Sequence, residues 1–380
     1  MDFRLGADAE RLREELRTFL DGALTDEFEE HLYRTGVSHD PGFVRSLIDH
    51  GWFAPGWSEE EGGGGLDPTS VMVIGEELNK HDAPMYGTSV SLMVAKTLVQ
   101  FGTEAMRRDV VPGVLRGETI CVLGFSEPEA GSDVANAQTR AVRDGDEWVV
   151  NGSKMFTTNA QIGDFVYLLT RTDPDVPKHK GLTTFLVPLD SDGIEVQAVY
   201  TLSGERTNIT YYHDVRVPDS ARIGDVDSGW KVLTASLADE QAASFAAWIV
   251  CLLEEAEGLA AEAGRLADPA VRERLARVAA EAEVSLLLRR RCTWMSENGI
   301  PRNVEGPMCK LFSSEALCRA AADLFELVGP DASRSYFDPS ASRGGRIEHL
   351  LRFSLGTTTY AGTSEVQRNI IAQRGLGLPR

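Results

Sequence analysis

The run EWVVNGSKMFTTN (147–159) carries an aromatic residue and two β-branched residues directly after Glu147 and shows no helical period, so it reads as a strand followed by a polar turn. It follows an Asp144-Gly145 turn signal. Four more runs of the same character follow it: DFVYLLTRT (164–172), GLTTFLVPL (181–189), IEVQAVYTL (194–202) and ITYYHDVRVP (209–218). Asp192-Gly193 marks a turn before the fourth run. Short strands separated by turns, with no helices between them, predict a compact antiparallel β-domain and disfavour alternating βαβ units.

On both sides of this region the period becomes helical. Leu12, Leu16 and Leu20, then Phe43, Leu47 and Ile48, then Val71, Ile74 and Leu78 each trace one face of a helix. EEEGGGGLDPTS (59–70) interrupts them; no Lys-Ser/Thr follows the glycines and no strand precedes them, so it reads as a loop leading into a helix started by Asp-Pro-Thr-Ser. Beyond residue 228, Ala/Leu/Glu/Arg-rich stretches broken near 299–301, 329–330 and 340–345 predict roughly four helices of bundle length. The expected fold is therefore α+β: an N-terminal α-helical domain (1–118), a central antiparallel β-domain (119–226) and a C-terminal four-helix bundle (227–380).

The 380 residues carry 38 Lys plus Arg against 58 Asp plus Glu, a net charge of −20, which argues against a nucleic-acid partner. The basic run 289–291 reads as a solvated helix face. The five cysteines, Cys121, Cys251, Cys292, Cys309 and Cys318, form neither a CxxC pair nor a zinc spacing with histidine, which suits a reducing cytoplasm. No segment has the apolar length of a signal peptide or a membrane span, so the expectation is a cytoplasmic protein with no membrane partner.

Chemistry is most legible in GFSEPEAGSDVAN (124–136). Its small residues allow close backbone approach to a flat ligand, and its hydroxyls offer donors. A plain turn would share that composition, but NGSKMFTTN (151–159) lies one strand later and RNIIAQRGLGLPR (368–380) closes the chain. Here the sequence resembles the acyl-CoA dehydrogenase family over nearly its whole length. Five matches occur in order: GWFAPGW (51–57), Ser-Glu-Pro-x-x-Gly-Ser-Asp, Asn-Gly-x-Lys-Met, Asp-Val-Arg-Val-Pro (214–218) and Gly-Thr-Ser-Glu-Val-Gln-Arg (362–368).

The resemblance implies FAD as cofactor and an acyl-CoA as substrate, with an electron-transfer flavoprotein as electron acceptor. Leu123, Phe125 and Ser126 would line the flavin ring, and Ser132 would lie near the cofactor and thioester. Phe156 takes the position of the family's ring-packing aromatic, usually tryptophan, and Thr158 that of the hydroxyl near flavin N5. Thr363 and Glu365 of the last motif complete the implied cofactor set. An aromatic at such a place shields the reacting face from water, and a donor there stabilises the charge added by reduction.

Dehydrogenating a thioester needs a base for the α-proton, which in this family is a glutamate. Most members carry it directly after the tyrosine of a C-terminal Tyr-Glu-Gly-Thr, but this chain reads Tyr360-Ala361-Gly362-Thr363. A second branch carries it on the first long helix after the β-domain, and there Glu240 matches, with Gln241 replacing the usual arginine. Independently, positions 233, 237, 240 and 244 share a helix face, which sets Glu240 in line with Leu233 and Leu237. Burial there would raise its pKa towards the working pH of a general base.

Two family elements are missing. Where Arg-x-x-Phe-Gly belongs the chain reads GRLADPAVRERLARVAAEAE (264–283), and where Gln-x-x-Gly-Gly-x-Gly belongs it reads ELVGPDA (326–332). The chain is similar in this to one subunit of the α2β2 acyl-CoA dehydrogenases of actinobacteria, which implies a homologous partner subunit in a heterotetramer and substrates that include steroid side-chain thioesters; a homo-oligomer stays open. Two other readings also stay open: a partner subunit that completes a flavin site without chemistry of its own, and a flavin monooxygenase on the same fold.

Overall fold

The computed structural model describes residues 3–240 and 244–379, without the side chains of residues 26, 29, 86, 238–240 and 342. Seven helices come first: α1 (Ala7–Ala23), α2 (Asp26–Thr35), α3 (Pro41–Asp49), α4 (Pro68–Lys80), α5 (Tyr86–Phe101), α6 (Glu104–Asp109) and α7 (Val111–Leu115). The predicted stripes face inward, with Leu16, Leu20, Phe43, Leu47, Ile74 and Leu78 all buried. Asp67 caps α4 by accepting from the amides of Thr69 and Ser70, as the Asp-Pro-Thr-Ser signal implies. The glycine run packs back on the preceding loop: a Cβ at Gly64 would lie 2.3 Å from the Gly51 carbonyl.

Eight strands follow: β1 (Cys121–Gly124), β2 (Arg140–Asp144), β3 (Glu147–Lys154), β4 (Phe165–Arg171), β5 (Leu182–Pro188), β6 (Ile194–Tyr200), β7 (Arg206–Pro218) and β8 (Arg222–Ile223). The sheet runs β6-β7-β3-β2-β4-β5-β8, with β1 paired to β4. The five strands anticipated from composition are β3 to β7. The other three lack a sequence signal, since β1 is four residues long, β2 is mostly charged and β8 has two residues. Pairing is antiparallel apart from β1 with β4 and a single-residue match of β2 with β4, both parallel.

The sheet curls until Trp148 on β3 meets Phe185 on β5, ring centroids 5.6 Å apart. Val150, Val166, Leu168, Val187 and Tyr212 fill the enclosed face, while Tyr167 and Leu169 join the core under the N-terminal helices. Both faces of β4 are thus covered, and its residues form a continuous buried run rather than an alternating one.

The C-terminal part comprises α8 (Gly229–Glu240), α9 (Ala246–Glu262), α10 (Pro269–Glu297), α11 (Glu305–Val328), α12 (Arg346–Thr357) and α13 (Ser364–Ile370). The helices α9 to α12 form the expected bundle around Leu252, Ala316, Leu317, Leu324 and Leu350. In contrast, α8 lies on α5 and β5, so Leu233 belongs to the N-terminal core. Lys80–Glu254 (2.8 Å) and Trp248–Asp82 (2.8 Å) join the first helical layer to the bundle. Among the described residues no helix is long and apolar enough to cross a membrane, and no group of acidic, histidine and cysteine residues could hold a metal ion. The five cysteines are free thiols; burial pushes Cys121 and Cys251 up to about 12, well away from the reactive thiolate range.

Candidate functional site

Two of the motifs singled out by the sequence meet through an ion pair. Lys154, at the end of β3, is fully buried and donates from Nζ to Glu127 Oε1 (2.7 Å) and to the Phe125 carbonyl (3.2 Å). Glu127 also accepts from the amides of Gln138 (2.7 Å) and Thr139 (2.9 Å). The backbone adds a bond from the Met155 amide to the Ser126 carbonyl (2.8 Å). The loop after β1 is thereby bolted to the loop after β3. A second pair of motifs meets at Asn151, which bonds both the carboxylate (2.9 Å) and the amide (3.0 Å) of Asp214. Between them Gly152 holds φ +146, and a Cβ there would lie 2.6 Å from Thr139 Oγ1.

Burial pushes the Lys154 ammonium down to about 8 despite the neighbouring carboxylate. Burial also opposes ionisation of Glu127, but the Lys154 charge and the hydrogen bonds from Lys154, Gln138 and Thr139 outweigh it and hold the carboxyl below its usual range. This has a consequence in acid. As pH falls below about 4.3 the unfolded chain protonates its glutamate while folded Glu127 stays ionised, so the pair's stabilisation is present above that pH and lost as pH falls through the lower folded value. Thermal midpoints recorded between about pH 6 and about pH 3 should fall, and fall less steeply in the double variant Glu127→Gln/Lys154→Met.

The turn that β3 delivers carries an unusual residue. Phe156 stands at φ +62, in the left-handed region that a bulky side chain avoids, and its side chain is left 57% exposed. Its neighbours are fixed from β7. The Thr157 amide donates to the Asn208 carbonyl (2.9 Å), and Asn208 Nδ2 returns a bond to the Thr157 carbonyl (3.0 Å). Thr158 shares a hydroxyl–hydroxyl bond of 2.9 Å with Thr207. Asn208 itself is buried and accepts from Arg206 through Oδ1.

Of the residues anticipated from sequence, Phe125, Ser126, Phe156 and Thr158 therefore lie on the two bolted loops, and Leu123 lies on β1, which leads into the first. Phe125 is buried edge-on to Tyr167, with ring centroids 4.9 Å apart. Ser132 is exposed further along the first loop. Thr363 and Glu365 are placed elsewhere: Thr363 caps α13 by accepting from the Val366 amide, Glu365 is exposed in its first turn, and α13 packs on α11. Among the described residues no hydrogen bond joins these two to the strand loops.

Leu233 is buried and the partly buried Leu237 packs against the same core. Glu240 closes α8; its side chain and all of Gln241 lie outside the described residues. Where the chain resumes, Phe245 faces Tyr360 with ring centroids 5.9 Å apart. Tyr360 precedes Ala361, whose backbone stands at φ +54 and whose carbonyl accepts from Gln367 Nε2 (2.8 Å). The buried Lys310 donates to the Gly362 carbonyl (2.7 Å) and fixes the same turn. Phe245 and the turn at Ala361 are thus neighbours.

Sequence reasoning did not assign roles to Lys154, Glu127 or Asn208. Alternation along β3 sets Lys154 on the face of Trp148 and Val150, and alternation along β7 sets Asn208 with Thr210 and Tyr212. A polar residue at an inward strand position was the available signal.

Family models match almost the whole length: the N-terminal domain of acyl-CoA dehydrogenases over residues 6–118, the middle domain over 122–215 and the C-terminal domain over 227–376. The chain is 37% identical over 393 residues to the acyl-CoA dehydrogenase FadE26 of Mycobacterium tuberculosis H37Rv, covering 98% of this chain and 97% of that one. Among solved structures it is similar to the Tcur3481-Tcur3483 steroid ACAD, with a TM-score of 0.94, 35% identity and full coverage of both chains. The ChsE4-ChsE5 complex from Mycobacterium tuberculosis matches with a TM-score of 0.91, 36% identity and full coverage of both chains.

Proposed function

The chain belongs to the acyl-CoA dehydrogenase family, and from that premise we propose that it performs the α,β-dehydrogenation of an acyl-CoA thioester with FAD, using Glu240 as its base. The observation that carries this reading is Phe156, an aromatic ring held out in a costly backbone conformation two residues before Thr158, on a turn tied to the loop that follows Leu123 of β1 and bears Phe125 and Ser126. A ring so displayed fits a flat partner that covers it. FAD, when bound, supplies the acceptor for the hydride that leaves the β-carbon.

The protein's own share is positioning and proton handling. Phe156 covers one side of the reacting centre and keeps water from it, and the Thr158 hydroxyl, oriented by Thr207, offers a donor. The carboxylate of Glu240 takes the α-proton, made acidic by the adjacent thioester carbonyl. The family's alternative position for this glutamate is Ala361, in a turn whose Tyr360 packs on Phe245, five residues beyond Glu240. With Ala361 unable to take a proton, Glu240 is the glutamate left at a position the family uses.

The substrate class we propose is a thioester with a bulky, steroid-like acyl group, and the acceptor of electrons an electron-transfer flavoprotein. The steroid ACAD and the two-protein complex to which the chain is similar support a shared assembly with a homologous subunit. In agreement, the regions that would hold the missing elements are the capped start of α10 and the end of α11, with Gly329 the one glycine in 326–332. Anaerobic addition of acyl-CoA to the flavin-loaded protein should bleach its visible absorbance and yield an enoyl-CoA. An unbleached spectrum with every thioester tried, steroid side-chain thioesters included, contradicts the activity.

Phe156→Gly separates the aromatic's two effects. Glycine adopts the left-handed region freely, so relief of about 1 kcal/mol of strain offsets the backbone entropy that glycine adds to the unfolded state. The flavin-free variant should melt no lower than the parent, while FAD affinity falls by about tenfold or more, the result expected when a stacked aromatic worth roughly 1 kcal/mol or more is lost. A clear loss of stability with unchanged affinity would make Phe156 a packing residue.

A further inference from the structure

The helix that carries Glu240 begins where Asp227, Thr172 and Thr183 close a ring of hydrogen bonds. The Asp227 amide donates to Thr183 Oγ1 (2.9 Å), and the Thr172 hydroxyl donates to Asp227 Oδ1 (2.5 Å). The two threonine hydroxyls lie 2.8 Å apart, and since Thr172 gives its proton to the carboxylate, Thr183 donates to Thr172. The ring therefore runs in one direction, so that each bond polarises the next, and the short bond to the carboxylate is charge-assisted. Thr183 is buried on β5, and Thr172 directly follows β4.

Asp227 stands at φ +61. Glycine would adopt that backbone with less strain, so the bonds of the side chain account for an aspartate here. Two residues on, α8 opens on Gly229 flat against β5: a Cβ there would lie 2.7 Å from the Leu182 carbonyl oxygen. Ser228 pairs with Leu182, and the Trp230 ring stands edge-on to His179 with centroids 4.5 Å apart. The same strand end also holds the loop after β1. Arg171, the residue before Thr172, is buried and donates to the carbonyls of Ala135 (2.5 Å) and Ala137 (3.3 Å), where the segment that starts from Phe125 and Ser126 ends. It donates as well to the Lys178 carbonyl (2.7 Å) between β4 and β5. Two consecutive residues thus reach the loop after β1 on one side and the start of α8 on the other.

We propose that Asp227 is a positioning residue for Glu240, its ring with Thr172 and Thr183 fixing where α8 starts relative to the loop that bears Phe125 and Ser126. This rests on Glu240 as the base of the dehydrogenation. From Gly229 to Glu240 the helix is about 16 Å long, so its start acts as a pivot for its last residue. A tilt of about 5° at the start moves the far end by about 1.4 Å, and a misplacement of about 1 Å can slow a reaction about a hundredfold. Apolar packing through Leu233 holds the middle of the helix but is non-directional, whereas hydrogen bonds of fixed geometry set its origin.

Asp227→Gly removes the carboxylate and accepts the left-handed backbone, so the variant should fold and retain FAD, while Asp227→Asn keeps an acceptor oxygen and tolerates the same φ. The test is single-turnover bleaching of the flavin-loaded protein, with its partner subunit where one is required, by a steroid side-chain acyl-CoA or octanoyl-CoA. Bleaching should slow by about tenfold or more in Asp227→Gly and in Thr172→Val with thioester affinity unchanged, and Asp227→Asn should recover most of the rate. In the Glu240→Gln background Asp227→Gly should add little, since both act on one proton transfer. In the flavin-free protein, amide exchange across 229–240 should quicken in Asp227→Gly and Thr172→Val and not in Asp227→Asn. Bleaching that Glu240→Gln slows but Asp227→Gly does not, effects of the two substitutions that multiply, or exchange unchanged in both ring variants overturns the proposal and leaves the dehydrogenation standing. A parent that does not bleach, or that Glu240→Gln does not slow, overturns both.

Discussion

Glu240→Gln should lower the rate of flavin reduction by acyl-CoA by about a thousandfold, within the range that loss of a positioned general base produces, while the variant retains its flavin and still binds thioester. Glutamine keeps the size and hydrogen-bonding capacity of the side chain but cannot take the α-proton. The residue ends α8, whose inward stripe through Leu233 anchors the helix on α5 and β5. No second carboxylate is available at the family's other position, because Ala361 occupies it. The informative readout is single-turnover flavin bleaching rather than steady-state rate, since it isolates the proton-abstraction step. An unchanged bleaching rate would remove Glu240 from the mechanism, and no bleaching in the parent would favour a subunit that completes a site without turning over.

The largest effect on stability is expected from Lys154→Met. The methionine leaves Glu127 buried without its cation, and breaking a buried pair from one side typically costs about 3–5 kcal/mol. The loop that Glu127 anchors carries Phe125 and Ser126, so flavin retention should fall together with the urea midpoint. Adding Glu127→Gln should recover most of the lost stability, because the unpaired charge is then gone while an amide oxygen still accepts from Gln138 or Thr139. If the single and double variants unfold alike, the ion pair is not what bolts the two loops.

The helix–sheet–helix order was legible because each part advertises its own period. Leu16 and Leu20 fall on a helix stripe, and 147–218 carry β-branched runs between glycine turns. β2 was not legible, because RAVRD is a charged strand whose pairing with β3 comes from the Gly145 turn rather than from its own residues. Position in space was harder still. Thr363 and Glu365 read as cofactor residues from the motif alone; that they stand at the start of α13, against α11, is set by packing between distant segments. Conversely, Lys154 and Glu127 stood in quoted motifs without a role, since only the curl of the sheet brings them together. The strain at Phe156 could not be read at all, because a left-handed φ at a phenylalanine is imposed by the bonds from Asn208 and Thr207 to its neighbours.

Flavin content tests the central claim most directly: the visible spectrum and native mass of the protein purified alone, and again after co-expression with a homologous subunit. The account predicts little FAD on the chain alone and about one FAD per pair when the partner is present, with the complex the more stable by linkage to the bound cofactor. About one FAD per chain when purified alone would contradict the shared site, and no flavin in either preparation, even after incubation with excess FAD, would contradict the flavin chemistry itself.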